Sequence, residues 1–597
     1  MATSSAAKAG SVRSPAPGLD IFKTPENPIF YSASLYQSLD KSKQEIRLIE
    51  LSTQTGSGIL ECKLLPAMQL VDAQNRYLAL SYCAGDPTDT RDILVNGMRC
   101  NIFANLHHAL VLARRYWILP SRQSPLLLWI DQLCINQQDL NERSHQVGFM
   151  RDIYQHAERT LACLSTTKTS GRGLKWLIDL CNAVPSKEDD ELFDYDRSDE
   201  SDTDGASDSE DATQEVEKLF QNVGSGSVEA GRLHWLRICD YLRDHMNDEK
   251  FVNGWIAFYD VLRSPWWNRA WICQEFLVSR KVSFMFGKHS RSWEQCWSTM
   301  QAFCETHRHI LTNRNHFLEL KNISVGDPGD RQLCRILDVV RTKGLGRQID
   351  HVGKAIKMKI QWSGSMDIKS LLSHSRSCKS SDDRDRVYAI LGLASPVYQI
   401  FPDYSQDMTA AQVMINTTKA IIDKEDSLYI LVQATALVRP RNLDVPSWVV
   451  DWSSIEASDI QNKFFGNRLF NRMSCVPRES PEHIFETVKD TFERTQAHIL
   501  RVYGAFITKV WLHTGKWPFA DFIVPMGWRG RASASIAGGD ELWVLQGLRV
   551  PIVLWPYRDG YQVISCASVI GPNGEGFGRP LISSEERTAR RSRIILY

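Results

Sequence analysis

An apolar run that empties into a polar loop is where this sequence first offers chemistry. Leu126 to Ile130 is wholly apolar, and Asp131, Cys134, Asn136 and Gln137 follow it at once. A strand of that kind is buried on both faces, as in a parallel sheet, and ligands of such sheets bind beyond the carboxyl ends of the strands. Asp131 and Asn136 are therefore candidate binding residues; the bland alternative is that they cap the next helix or hold a turn. Ser81 and Tyr82 end an equivalent run, YLALSY (77–82), with Gly85 just beyond, and Ser165 follows a third, TLACL (160–164). Cys134 would need a base to act as a nucleophile. The nearest histidine in sequence, His145, falls on the expected solvent side of its helix, so the thiol reads as packing. Glu142 and Gln146, four residues apart, read as a solvated helix face or a hydrogen-bonded pair.

The second place is RSPWWNRAWICQEF (263–276). Ser264 followed by Pro265 reads as a helix start. If the helix runs on, Trp267, Trp271 and Glu275 share one stripe. A carboxylate in line with two large aromatics is partly desolvated, so Glu275 is the candidate catalytic residue and Trp271 a candidate binding residue. The ordinary alternative is that Glu275 pairs with Arg269 or Arg280. The tryptophans themselves read most simply as core. No glycine-rich phosphate loop follows a strand. The cysteines show no CxxC and no zinc-ligand spacing, so neither a metal nor a resident cofactor is expected.

The elements that must position these residues alternate. Strands are predicted at 77–82, 126–130, 160–164 and 282–286. A helix capped by Asn105 lies between the first two, and a helix marked by Val147, Met150, Ile153, Tyr154 and Ala157 precedes the third. This order predicts a doubly wound parallel α/β sheet. Residues 1–44 are expected to be a disordered leader rich in Ser, Ala and Pro, and 45–290 one domain with a disordered acidic insertion at about 185–215. A mainly helical region (291–429) and a β-rich region (430–597), with turns at Gly547 and Asp559-Gly560, complete the chain.

The chain has 597 residues, 70 basic and 70 acidic, for a net charge of +0. That balance argues against a dedicated DNA or RNA binder, which needs a basic surplus against phosphate. No apolar run reaches the length of a membrane span, and the N-terminus lacks the apolar core of a secretory signal. A cytoplasmic location with reduced thiols is expected.

Several segments occur together and in one order: YLALSY (77–82), WIDQLCINQQDLNER (129–143), HQVGFMRDIYQHA (145–157), RSPWWNRAWICQEF (263–276), DDRDRVYAILGLA (382–394), PDYS (402–405) and PSWVVDWS (446–453). Together they resemble the fungal heterokaryon-incompatibility (HET) family. The sequence departs from the family pattern at Cys83-Ala84-Gly85, where a Trp usually precedes the Gly, and at Cys163-Leu164-Ser165, where Trp-Leu-Gly is usual. The resemblance implies non-self recognition that ends in programmed cell death, and a fold similar to the flavodoxin-like TIR domain. WICQEF also resembles the segment that carries the catalytic Glu of TIR domains, which places Glu275 on that position. The implied chemistry is cleavage of NAD⁺ as a substrate at its nicotinamide–ribose bond, with Ser81, Tyr82, Asp131, Asn136 and Trp271 around the ligand. The alternatives are a non-enzymatic module that signals by homotypic assembly and a relay for a C-terminal sensor. A protein partner or homo-oligomer is expected in each case.

Overall fold

The computed structural model describes residues 27, 30, 35–53, 58–118, 124–167, 172–185, 225–319, 324, 326–434, 445–453, 480–489, 496–516, 519–524, 528–533, 535–548, 550–570 and 584–597. The acidic insertion and most of the leader lie outside these residues. The chain divides into two compact units. The first comprises residues 1–146, 152–267 and 279–360; the second comprises 147–151, 268–278 and 361–597.

The first unit is built on a nine-stranded sheet. Its strands, numbered from a short β1 (Glu45–Ile46) that pairs elsewhere with β4 (Met68–Gln69), are β2 (Ile49–Leu51), β3 (Leu60–Leu64), β5 (Leu78–Ser81), β6 (Thr90–Val95), β7 (Met98–Phe103), β8 (Leu126–Trp129), β9 (Arg159–Cys163), β10 (Val282–Phe286) and β11 (His289–Ser292). Their spatial order is β11-β10-β9-β5-β8-β2-β3-β6-β7. The four strands expected from sequence are all present. They run parallel to one another as β10-β9-β5-β8. Every residue of β5 and β10 is buried, as two-faced burial requires.

The sheet is mixed rather than wholly parallel, which corrects the expectation. β2 adds antiparallel beside β8, β3 continues antiparallel from β2, and the β6–β7 hairpin extends that side. β3 alternates buried and exposed residues along Leu60–Leu64, as a strand covered on one face does. Helix α1 (Ala104–Ile118) links β7 to β8 and begins one residue before the expected cap. Asn105 instead accepts a bond from the Thr167 amide (3.2 Å). Helices α2 (Leu140–Gly148) and α3 (Met150–His156) precede β9. The long excursion from β9 to β10 includes α4 (Gly173–Ala183), α5 (Ser225–Asp244) and α6 (Glu249–Leu262). Trp176 of α4 packs against Phe251, Trp255 and Phe258 of α6.

The second unit holds the helix α7 (Ile272–Leu277), the helices α12 (Ile368–Arg376), α13 (Asp385–Leu391) and α14 (Ala410–Glu425), and a β-rich C-terminal part. Helices α8 (Trp297–Thr312), α9 (Arg314–Glu319), α10 (Pro328–Thr342) and α11 (Leu345–Ile360) fall in the first unit. The C-terminal sheet contains β12 (His483–Lys489), β13 (Gln496–Lys509), β14 (Trp511–Lys516), β15 (Phe519–Val524), β16 (Trp528–Ser533), β17 (Glu541–Leu545), β18 (Ile552–Tyr557), β19 (Gly560–Ile570) and β20 (Arg591–Leu596). Tyr557 pairs with Gly560, so the hairpin expected at Asp559-Gly560 forms, with Arg558 at φ +56°.

Candidate functional site

The residues singled out by sequence divide between the two units. Ser81, Tyr82, Asp131 and Asn136 belong to the first; Trp271 and Glu275 belong to the second.

In the first unit, β5 and β8 deliver their loops from adjacent parallel strands. Ser81 is buried, and its hydroxyl oxygen accepts a bond from the Trp266 indole N–H at 2.6 Å. Tyr82 lies above Asp131: its hydroxyl is 3.3 Å from the Asp131 carboxylate and 3.3 Å from the Gln132 amide oxygen. Asp131 opens a one-turn helix (Asp131–Cys134) and accepts a bond from the Gln132 amide at 2.7 Å. Asn136 stabilises a turn, accepting the Gln138 amide at 3.2 Å. Thus Tyr82 and Asp131 are brought together, whereas Ser81 holds the Trp266 indole and Asn136 its own turn.

Glu142 and Gln146 correct the solvated-face expectation, because both are buried. Glu142 forms a forked pair with Arg47 (2.6 and 3.0 Å) and accepts the Asn136 amide at 2.7 Å. Arg47 also donates to the Cys134 carbonyl at 3.2 Å. Gln146 donates to the Glu45 carbonyl at 2.9 Å. A polar helix face looks solvated in sequence; here it covers a chain segment from the N-terminal side that supplies the partners. Burial pushes the Cys134 thiol up to about 12, which leaves it protonated and packed.

Sequence reasoning passed over His108. Its Nε2 lies 2.9 Å from the Ser165 hydroxyl, which also accepts the Gly287 amide at 3.2 Å. Burial lowers the His108 pKa, favouring the neutral ring. Ser165 follows β9, Gly287 follows β10, and His108 stands one turn into α1. The available signal was Asn105 and His108 at i and i+3 near the start of a helix. Gly85 completes this edge at φ +85°, a conformation that favours glycine, and a Cβ there would come within 2.4 Å of the Asn105 side chain.

RSPWWNRAWICQEF, whose residues up to Trp267 belong to the first unit and the rest to the second, is not one helix. A short 3₁₀ turn (Pro265–Asn268) ends before α7, and the residues between are not helical. The stripe expected of Trp267, Trp271 and Glu275 therefore does not exist. Within the tighter turn the Trp267 amide donates to the Ser264 carbonyl at 3.2 Å. Glu275 is buried, as expected of a desolvated acid, and both its oxygens are held by Arg269 at 2.9 and 3.0 Å. Trp271 donates its indole N–H to Asp385 at 3.1 Å, and Asp385 accepts the Tyr404 hydroxyl at 2.5 Å. This arrangement holds α7 and α13 together and leaves the Arg269 guanidinium partly exposed.

No helix among the described residues is long and apolar enough to cross a membrane. Residues 77–275 match the family described as Heterokaryon incompatibility protein (HET). The chain is 27% identical over 450 residues to Heterokaryon incompatibility protein 6, OR allele, of Neurospora crassa, an alignment covering 68% of this chain. It spans 58% of the length of that relative. No solved structure matches.

Proposed function

We propose, from the match of residues 77–275 to the heterokaryon incompatibility (HET) family, that the chain is a member of it, that it acts in fungal incompatibility as an effector of cell death and that its first unit takes a dinucleotide, NAD⁺, at the carboxyl ends of β5, β8 and β9. One observation carries this reading. Taken in chain order, the four parallel strands β5, β8, β9 and β10 lie in space as second, first, third, fourth. That is the flavodoxin-like order, also expected of a TIR-like fold, and its ligand crevice opens between the first and third strands. Here those strands end in Ser81-Tyr82 and in Ser165. Tyr82, Asp131, His108 and Ser165 supply the hydrogen-bonding groups along that edge.

Cleavage at the nicotinamide–ribose bond needs a carboxylate to stabilise the ribosyl cation as it develops. Glu275, in the second unit, is the carboxylate that the resemblance to TIR domains assigns to that role, and both its oxygens are held by Arg269. The same ion pair favours a second reading, assembly without catalysis, because a carboxylate neutralised by a forked guanidinium is a sound structural element as it stands.

Forced expression in a fungal host, with NAD⁺ and viability followed in time, tests the two. NAD⁺ loss before death, abolished by Glu275→Gln, supports cleavage. Death with NAD⁺ intact sinks the enzymatic reading and leaves assembly. Survival of cells holding abundant folded protein counts against the effector role itself.

A further inference from the structure

We infer that Ser165 and His108 of the first unit form a nucleophile–base dyad at the end of β9, a second chemical site that takes small carboxylic esters. The Ser165 Oγ lies 2.9 Å from His108 Nε2 and accepts the Gly287 amide at 3.2 Å. The Gly287 N–H can only donate, so it occupies one oxygen lone pair and leaves the hydroxyl hydrogen to be placed. Cys163 Sγ, at 4.0 Å, is a poor acceptor for that hydrogen, and His108 Nε2 is the good one. The hydroxyl therefore points at the ring, the arrangement that general-base activation of a serine requires. Burial lowers the His108 pKa, so the ring is in its base form at neutral pH.

The backbone on both sides of the nucleophile is pinned within that unit. The Leu164 amide donates to the Met285 carbonyl at 2.9 Å, and the Leu164 carbonyl accepts the Ser264 hydroxyl at 2.5 Å. Beyond Ser165, the Thr167 amide is held by Asn105 at 3.2 Å, on the same helix α1 that carries His108. In the reaction, Oγ bonds to the ester carbonyl carbon while its proton passes to Nε2. The bond from that carbon to the alcohol oxygen then breaks, and Nε2 returns the proton to the leaving alcohol. Water, deprotonated by the same nitrogen, cleaves the acyl-serine and restores the hydroxyl, so the sum is ester plus water to acid plus alcohol. The Gly287 N–H, beside Oγ, is placed to steady the oxyanion. Ser165 is only 4% exposed, which restricts the acyl group to a slender one. The dyad shares its edge with the NAD⁺ reading but needs neither the dinucleotide nor Glu275.

Full-length protein treated with diisopropyl fluorophosphate and mapped by peptide mass spectrometry should carry the phosphoryl group on Ser165. Unfolding in urea before treatment should abolish that label, a control that needs no variant to fold. His108→Gln keeps a polar side chain without a base and should slow labelling by roughly a hundredfold or more. The wild type should hydrolyse p-nitrophenyl acetate, and Ser165→Ala should lose that turnover. An unlabelled Ser165 in folded wild type, equal labelling of the unfolded chain, or an undiminished rate in folded His108→Gln overturns the dyad. Absence of ester hydrolysis by the wild type, or its persistence in Ser165→Ala, overturns the assigned activity.

Discussion

Arg47–Glu142 and Arg269–Glu275 are the same chemical object in two settings. Each is a forked guanidinium–carboxylate pair with a buried acid. In the first unit both side chains are buried, with 2% and 8% exposed, and the pair is extended by the Asn136 amide and the Cys134 carbonyl. In the second, Glu275 is equally buried, but 18% of the Arg269 side chain is exposed. The first pair is closed on itself and on backbone; the second has one member within reach of water or a ligand. Burial of a carboxylate therefore does not by itself mark a site, and the accessibility of its partner separates a buttress from a candidate for chemistry.

The sharpest attack on that distinction is Glu142→Ala. It strands a buried guanidinium and should cost about 3–5 kcal/mol, read as a fall in chemical-denaturation midpoint. A smaller loss than that of Glu275→Ala would erase the contrast. Next comes acid. Burial depresses the His307 pKa from 6.5 to about 4, and His307 lies in the first unit, stacked on Phe303. As pH falls from about 6.5 toward 4, the unfolded chain takes up a proton that the folded chain refuses, so stability is lost across that window. At about 1.4 kcal/mol per pKa unit the loss approaches roughly 3 kcal/mol. His307→Phe should flatten the pH dependence of the denaturation midpoint; an unchanged acid slope would clear His307 of the effect.

Glu275→Gln should have a smaller effect on stability, about 1–2 kcal/mol, since Arg269 can turn to water. It should nonetheless abolish cell killing at equal protein level. Full killing would move Glu275 into the same class as Glu142. Asp131→Ala is the mildest. It removes the Tyr82 contact and the Gln132 amide acceptor and should cost about 1 kcal/mol or less, while lowering toxicity. Unaltered toxicity at matched expression would confine the carboxylate to its one-turn helix.

The four parallel strands were legible because each is a run of apolar residues that cannot be anything exposed. Tyr82 and Asp131 were legible as a pair because both follow such runs. What the pattern concealed depends on partners distant in sequence. Nothing near Glu142 announces Arg47, ninety-five residues earlier, and a polar helix face reads the same whether water or a buried arginine meets it. The break after Asn268 was hidden because WWNRAWICQEF has helical periodicity, while its backbone is diverted by pairing with Lys379. His108 looked like any histidine on an amphipathic helix until Ser165 was set beside it.

β20 has a consequence for how the chain is made. It pairs with Leu500 to Ala505 of β13, and Tyr597 donates to the Tyr561 carbonyl. While a ribosome is still translating the later strands, those β13 residues await a neighbour encoded 86 to 96 codons downstream. At typical elongation rates the wait is on the order of ten seconds. Throughout it, a strand carrying Leu500, Val502 and Ala505 toward a core presents unpaired amides and carbonyls to its surroundings. A nascent chain of this protein is thus a natural client for chaperones that wait at the tunnel exit, and slow codons between β13 and β20 would lengthen its exposure.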